Sequence, residues 1–328
     1  MDNILERRKE TVKAVNAYLD EHLNDIDDPV MKDLMRYYPL MGGKRLRPLI
    51  SWLVCEALGG DGKESLPIGA GLEVIHNFTL VHDDIMDDSD LRRGKETLYR
   101  SHGTSMAINV GDALFARGYL IISEMDIEGE EFRRLIKEVS ETVEEIAIGQ
   151  YLDMDFEDRK EITEEEYMRM IRLKTAVLMR MAARGGAYAA RASDHMKDAA
   201  GEYAENMALT FQIADDLLDL MGGEGNFAGR RGQDIKNGKR TLMVIKTLEA
   251  LPPQKKREFN SILGYPDATG EDIDRAIELM NEAGAIEYSR GLAKSLVARA
   301  KESLEAFPEG PVKKELADLA DFMILRNI

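Results

Sequence analysis

Met181-Ala182-Ala183-Arg184-Gly185-Gly186-Ala187-Tyr188-Ala189-Ala190 is apolar on more than one helical face. A surface helix carries one apolar stripe. A helix apolar around most of its girth sits inside a bundle, enclosed by others. Outward from this stretch the chain is built of the same material. Long segments rich in Ala, Leu, Met, Glu, Lys and Arg, the strong helix formers, run between short turn signals. Proline is rare, at 9 residues in 328. No run alternates Val, Ile and Thr as strands do. The spacing predicts helices over Asn3–Leu23, Leu46–Leu58, Ile68–Met86, Ser105–Ser123, Glu131–Tyr151, Glu164–Ala189 and Asp198–Leu220. A second set follows over Thr241–Ala250, Pro253–Leu263, Gly270–Ala283, Ile286–Ala306 and Val312–Arg326. The fold class is therefore all-α. No linker rich in Gly, Ser or Pro divides the chain, so residues 1–328 read as a single domain.

Composition narrows the function. Lys plus Arg is 44 and Asp plus Glu is 61, a net charge of −17. That excludes a protein whose task is to coat nucleic acid or anionic membrane. The one cysteine, Cys55, excludes an internal disulfide and a cysteine-based zinc site. His22, His76, His82, His102 and His195 show no close ligand spacing. The charged start and the absence of a long uncharged apolar run predict no secretory signal and no bilayer span. A cytoplasmic location is the expectation.

One short motif recurs. His82-Asp83-Asp84-Ile85-Met86-Asp87-Asp88 and Gln212-Ile213-Ala214-Asp215-Asp216-Leu217-Leu218-Asp219 both read Asp-Asp-x-x-Asp, and both close an apolar helix. Positions i and i+4 differ by about 40° around a helix, so Asp83 shares a face with Asp87, and Asp215 with Asp219. Like charges so placed repel, and a helix C-terminus worsens it. A solvated acidic surface is the plain alternative for either cluster. Twice over, in apolar sequence, the cost points to a compensating cation. Oxygen-only ligation suggests Mg²⁺, completed by water and substrate phosphate. An EF-hand is excluded, because Gly94 stands where its last carboxylate belongs.

Basic residues surround these clusters in sequence. Lys44 and Arg47 lie in Gly42-Gly43-Lys44-Arg45-Leu46-Arg47-Pro48, and Arg92 and Arg93 follow the first cluster. Lys174-Thr175 lies within a long helix, and Lys239 follows the second cluster in Gly232-Gln233-Asp234-Ile235-Lys236-Asn237-Gly238-Lys239-Arg240-Thr241. Carboxylates with several Arg and Lys describe a pocket for phosphate esters. No Walker or dinucleotide fingerprint is present.

In this order the motifs resemble the trans-isoprenyl diphosphate synthases, the polyprenyl synthetases, over almost the whole chain. The matching stretches are Gly42–Pro48, Asp83–Gly94, Gly149–Asp153, Lys174-Thr175, Phe211–Asp219 and Gly232–Thr241. The resemblance implies an isoprenoid-synthase-type helical bundle around a deep central cavity, working as a homodimer. It implies head-to-tail condensation of isopentenyl diphosphate with allylic diphosphates. It implies Asp83, Asp84, Asp87, Asp215 and Asp219 as ligands, direct or through water, of three Mg²⁺ ions, with Mn²⁺ able to substitute. Arg92, Lys174 and Lys239 are then contacts to the allylic diphosphate. Lys44, Arg47, His76 and Arg93 form the isopentenyl diphosphate site. Gln212, Thr175 and Lys174 lie near the developing cation, and Asp153 supports that network. Arg230, where Lys is common, and Glu96, where Pro is common, depart from the pattern.

Product length must be set sterically. Each added isoprene unit contributes up to roughly 4 kcal/mol of favourable burial, so affinity alone would never stop growth. Thr79, Phe78, Ile75 and Leu72 precede Asp83 by one to three turns. In the family, a bulky residue at Phe78 beside a small one at Thr79 resembles the archaeal-type geranylgeranyl (C20) pattern. Farnesyl (C15) and longer products are the alternatives. A terpene cyclase or a head-to-head synthase would not need Gly42–Pro48. An acidic divalent-cation-binding protein is the non-enzyme alternative.

Overall fold

Asp28 begins a helix that the sequence reading passes over. Its carboxylate accepts from the Met31 N–H at 2.8 Å. Pro29 takes the first helical position, where a missing N–H is harmless. With Pro39 inside its last turn, the segment reads as broken, yet it is a regular helix. The computed structural model describes residues 4–159, 161–222 and 231–325. The first helices are α1 (Ile4–Arg7), α2 (Lys9–Asn24), α3 (Pro29–Leu40), α4 (Leu46–Ala57) and α5 (Leu66–Met86). A hairpin of β1 (Leu91–Arg92) and β2 (Lys95–Glu96) follows, then α6 (Leu98–His102), α7 (Thr104–Ile122), α8 (Gly129–Asp158) and α9 (Glu164–Ile171). The remainder is α10 (Val177–Ala189), α11 (Asp194–Met221), α12 (Gln233–Lys236), α13 (Leu242–Ala250), α14 (Pro253–Ile262), α15 (Gly270–Glu282), α16 (Ala285–Ser303) and α17 (Pro311–Leu325). The fold is all-α. One predicted helix, Glu164–Ala189, is interrupted by a π-helical turn over Arg172–Ala176.

The chain forms two compact units. One comprises Met1–Val139, Leu178–Gly201 and Ala306–Leu316. The other comprises Ser140–Val177, Glu202–Glu305 and Ala317–Ile328. In the first, α5 packs along α7. A Cβ on Gly71 would lie 2.7 Å from the Gly118 carbonyl oxygen, and one on Gly118 would lie 2.5 Å from Ile75 Cγ1. Only glycine at both positions allows so close a crossing. Leu19, Tyr38, Val74, Leu98, Val110 and Leu114 fill the core beside it. The apolar stretch of α10 is buried as expected, through Met181, Ala182, Ala183, Ala187 and Tyr188. Its one charge, Arg184, is neutralised by Glu138 at 2.8 Å and Asp198 at 2.6 Å. In the second unit, α13, α15 and α16 bury Met243, Ile273, Leu279 and Leu296 between them. Among the described residues no helix is long and apolar enough to cross a membrane.

Candidate active site

In the first unit α5 runs through Met86, with Asp87 as its C-cap, so Asp83 and Asp87 project from its last turn as the spacing predicts. Asp83 is half-buried and Asp87 exposed. Asp84 turns the other way and is completely buried. Its Oδ1 accepts from Arg92 Nε at 2.8 Å and Nη2 at 2.5 Å. Its Oδ2 accepts from the Tyr38 hydroxyl and from Arg92 Nε at 3.1 Å. Both oxygens of this expected metal ligand are thus occupied by protein donors.

The hairpin supplies the arginine. Leu91 pairs with Glu96 and Arg92 with Lys95, leaving Arg93-Gly94 as a two-residue turn. Both turn residues have positive φ, 52° and 77°, as such a turn demands. Arg92 therefore returns to Asp84, while Arg93 sits at the tip and donates to the Gly42 carbonyl. Arg47 completes a cationic cluster. Its Nε is buried without a hydrogen-bond acceptor, and burial, with the charge of Arg93, lowers its pKa. Among the described residues neither Arg47 nor Arg93 has a carboxylate in ion-pair contact. Burial and the charges of Arg47, Arg93, Arg92 and Arg45 hold His76 well below the usual imidazole range, so it is neutral at pH 7. Lys44 is exposed on the same loop.

Sequence reasoning missed Arg45. It is 3% exposed, has φ 51°, and pairs with buried Glu73 at 3.1 Å. It also donates to the carbonyls of Pro39 and Gly42 and to Asn16 Oδ1. The loop carrying Lys44 and Arg47 hangs on it.

The expected chain-length residues separate. Phe78 is half-buried and meets the rings of His82 at 5.0 Å and Phe115 at 5.3 Å. Thr79 bonds back to the His76 carbonyl at 2.8 Å. Ile75 does not share their place: it is fully buried against Gly118, filling the α5–α7 crossing. Phe115, half-buried on α7, is the aromatic neighbour that sequence spacing could not reveal.

The second unit holds the other motif within α11. Asp215 is exposed. Asp216 is 2% exposed and takes Tyr167 Oη at 2.7 Å, Gln212 Nε2 at 3.0 Å and Lys239 Nζ at 3.2 Å. Asp219 accepts the backbone N–H groups of Gln233 and Asp234, both at 3.1 Å, and so caps α12. Asp234 lies 3.6 Å from Lys239. Burial and the neighbouring Asp216, Asp219 and Asp215 push its carboxyl up to about 7 against the opposing charge of Lys239. Burial likewise raises Asp219. The donors are all carboxylate oxygen and carry excess negative charge, a set that suits a hard divalent cation. Among the described residues no three His, Cys, Asp or Glu side chains are gathered as a complete metal site. One or two carboxylates per ion, with ligand oxygens completing the shell, is the Mg²⁺ pattern.

Lys174 and Thr175 lie on the π-helical turn. Lys174 pairs with Asp153, and Thr175 Oγ1 donates to Gln212 Oε1 at 3.4 Å. A Cβ on Gly149 would stand 2.3 Å from the Lys174 nitrogen and 2.6 Å from the Leu173 carbonyl carbon. Gly149 thus lets α8 meet the turn backbone to backbone. Gly149→Ala is expected to destabilise by about 1–3 kcal/mol through overpacking and to lower turnover by displacing Lys174. Thermal unfolding beside steady-state rates measures both. A variant unchanged in both would show that the turn yields freely. Arg230 lies outside the described residues.

A polyprenyl synthetase family model matches residues 28–280. A geranylgeranyl diphosphate synthase of Methanosarcina mazei is 37% identical, with 99% of this chain and 98% of that one covered. A geranylfarnesyl diphosphate synthase of Natronomonas pharaonis is 33% identical over 99% of this chain and 97% of its own. The crystal structure of geranylgeranyl pyrophosphate synthetase from Pyrococcus horikoshii superposes with a TM-score of 0.92 at 34% identity, covering 98% of each chain. The chain belongs to the polyprenyl synthetase family. Within it the chain is a short-chain trans-prenyltransferase, acting on isoprenoid diphosphates.

Proposed function

We propose that the chain condenses isopentenyl diphosphate head-to-tail with allylic diphosphates, releases diphosphate, and stops mainly at geranylgeranyl diphosphate. The observation that carries this reading is the cluster of Arg47 and Arg93 beside neutral His76, cations without a carboxylate in contact. The buried, unpartnered Nε of Arg47, next to the exposed positive charge of Arg93, calls for an anionic ligand. Lys44, Arg47, His76 and Arg93 hold isopentenyl diphosphate. Arg92, Lys174 and Lys239 contact the allylic diphosphate. Asp83, Asp87, Asp215 and Asp219 hold Mg²⁺, which when bound neutralises the leaving diphosphate. As the allylic C–O bond breaks, the fixed guanidinium and ammonium groups stabilise the charge on the departing oxygens. Gln212, Thr175 and Lys174 lie near the developing allylic cation. The isopentenyl double bond attacks that cation, and the released diphosphate accepts the proton lost at the end. Residues 1–328 act as a single polyprenyl synthetase domain in this reading.

We also propose a homodimer. Ile108 and Leu120 on α7 and Ile148 and Tyr151 on α8 are 39–63% exposed, apolar surface that a second copy would cover. Light scattering after size exclusion tests this, and a monomer at micromolar concentration would refute it.

The decisive experiment supplies labelled isopentenyl diphosphate, Mg²⁺ and each primer from dimethylallyl to farnesyl diphosphate, with products sized by chromatography. A C20 product is expected. No turnover with any primer would overturn the synthase reading, and a C15 or C25 main product would overturn the length. Phe78→Ala should lengthen the product by at least one isoprene unit, because one helical turn rises about 5.4 Å and the ring that meets Phe115 is gone. Thr79→Phe should shorten it. Unchanged lengths in both variants would move the floor elsewhere.

A further inference from the structure

The two Asp motifs treat their second aspartate alike. Asp84 has no exposed surface, and Asp216 has 2%. Each accepts, on Oδ2, the hydroxyl of a buried tyrosine: Tyr38 of α3 for Asp84 and Tyr167 of α9 for Asp216. These tyrosines are 2% and 1% exposed. Each aspartate also holds one cation of the proposed diphosphate site, Arg92 or Lys239. Further donors fix the geometry. The Leu98 N–H donates to the Tyr38 oxygen at 3.3 Å, and Gln212 donates to Asp216 Oδ1 at 3.0 Å. The motif repeats in sequence, but α3 and α9 share no sequence pattern. The same hydroxyl–carboxylate–cation chain is therefore assembled twice from unrelated elements.

A carboxylate free to rotate would let its cation wander. A hydroxyl on one oxygen fixes the carboxylate plane, and the plane fixes the cation. We propose that Tyr38 and Tyr167 are positioning residues for the transfer reaction, each acting through the second aspartate of its motif to aim Arg92 or Lys239 at the diphosphate. Asp84 and Asp216 are then orienters of cations. This rests on the condensation reading above.

The test is a pair of double-mutant cycles in the full chain, Tyr38→Phe with Arg92→Ala and Tyr167→Phe with Lys239→Ala. Phenylalanine keeps the ring and removes only the hydroxyl. Each Tyr→Phe variant is expected to lose about tenfold or more in kcat/KM, while isopentenyl diphosphate KM stays within about twofold. Each double variant should be no worse than its Arg92→Ala or Lys239→Ala parent, because the hydroxyl has nothing left to aim. Calorimetric binding of inorganic diphosphate with Mg²⁺ should show the same non-additivity without turnover. Additive losses, or single variants at wild-type rates, overturn the proposal. If Tyr38→Phe fails to fold, the Tyr167 cycle decides. A wild-type chain inactive with every primer would refute the condensation reading instead, and the diphosphate-binding cycles would still judge the clamps.

Discussion

Stripping divalent cations with EDTA is expected to abolish condensation, and added Mg²⁺ to restore it. The expectation comes from charge rather than from family habit alone. Asp215, Asp216, Asp219 and Asp234 crowd one region of the second unit, with Lys239 opposing them. Asp83 and Asp87 repeat the crowding at the end of α5. Because no three carboxylates are gathered as a complete site among the described residues, the free protein should bind Mg²⁺ weakly. Affinity should rise sharply once a diphosphate supplies the remaining oxygens. Mn²⁺ titration followed by electron paramagnetic resonance, with and without inorganic diphosphate, reads that coupling independently of turnover. Asp215→Asn should then cost roughly 10³-fold in kcat and weaken the diphosphate-dependent Mn²⁺ signal. Full activity in verified metal-free buffer would refute the role given to all four aspartates.

The sequence carried the fold class because helix-forming residues and scarce proline leave no other reading. It also carried the ends of α5 and α11, where the aspartates lie. What it could not carry were effects imposed from outside each segment. Glu164–Ala189 keeps one helical pattern throughout, so nothing in it signals the π-helical turn. The backbone contact with Gly149 that accompanies the turn comes from a helix more than twenty residues earlier. Helix α3 was hidden because Pro29 and Pro39 look like breakers, although Pro29 takes the first helical position, where a helix tolerates it, and Pro39 falls only in the last turn. The hairpin was hidden because two residues per strand are too few to alternate. Its consequence is chemical: neighbouring Arg92 and Arg93 part company, one into a buried ion pair, the other to the turn. The burial of Asp84 could not be read from the sequence, because spacing reports which residues share a face and not which face is buried. Tyr38, Tyr167, Arg45 and Phe115 carry no motif, and only packing reveals them.

Arg45→Ala is expected to have the largest effect on stability. The substitution leaves Glu73, 4% exposed, as a buried charge without its ion-pair partner. Its other oxygen already lacks a hydrogen bond. Breaking a buried pair from one side costs about 3–5 kcal/mol, roughly 4–7 °C in the unfolding midpoint for a chain of this size. Stability alone would not identify a functional role, so the second step matters. Replacing both partners, Arg45→Met with Glu73→Leu, removes the stranded charge and keeps the volume, and should recover most of the lost midpoint. It does not restore the bonds from the guanidinium to the carbonyls of Pro39 and Gly42. Arg93 donates to that same Gly42 carbonyl, and Arg47 follows two residues after Arg45. The double variant should therefore unfold near the wild-type temperature and still show a KM for isopentenyl diphosphate raised about tenfold or more. Recovery of both quantities together would reduce Arg45 to a counter-ion. Recovery of stability alone makes it the anchor of the loop that presents Lys44 and Arg47.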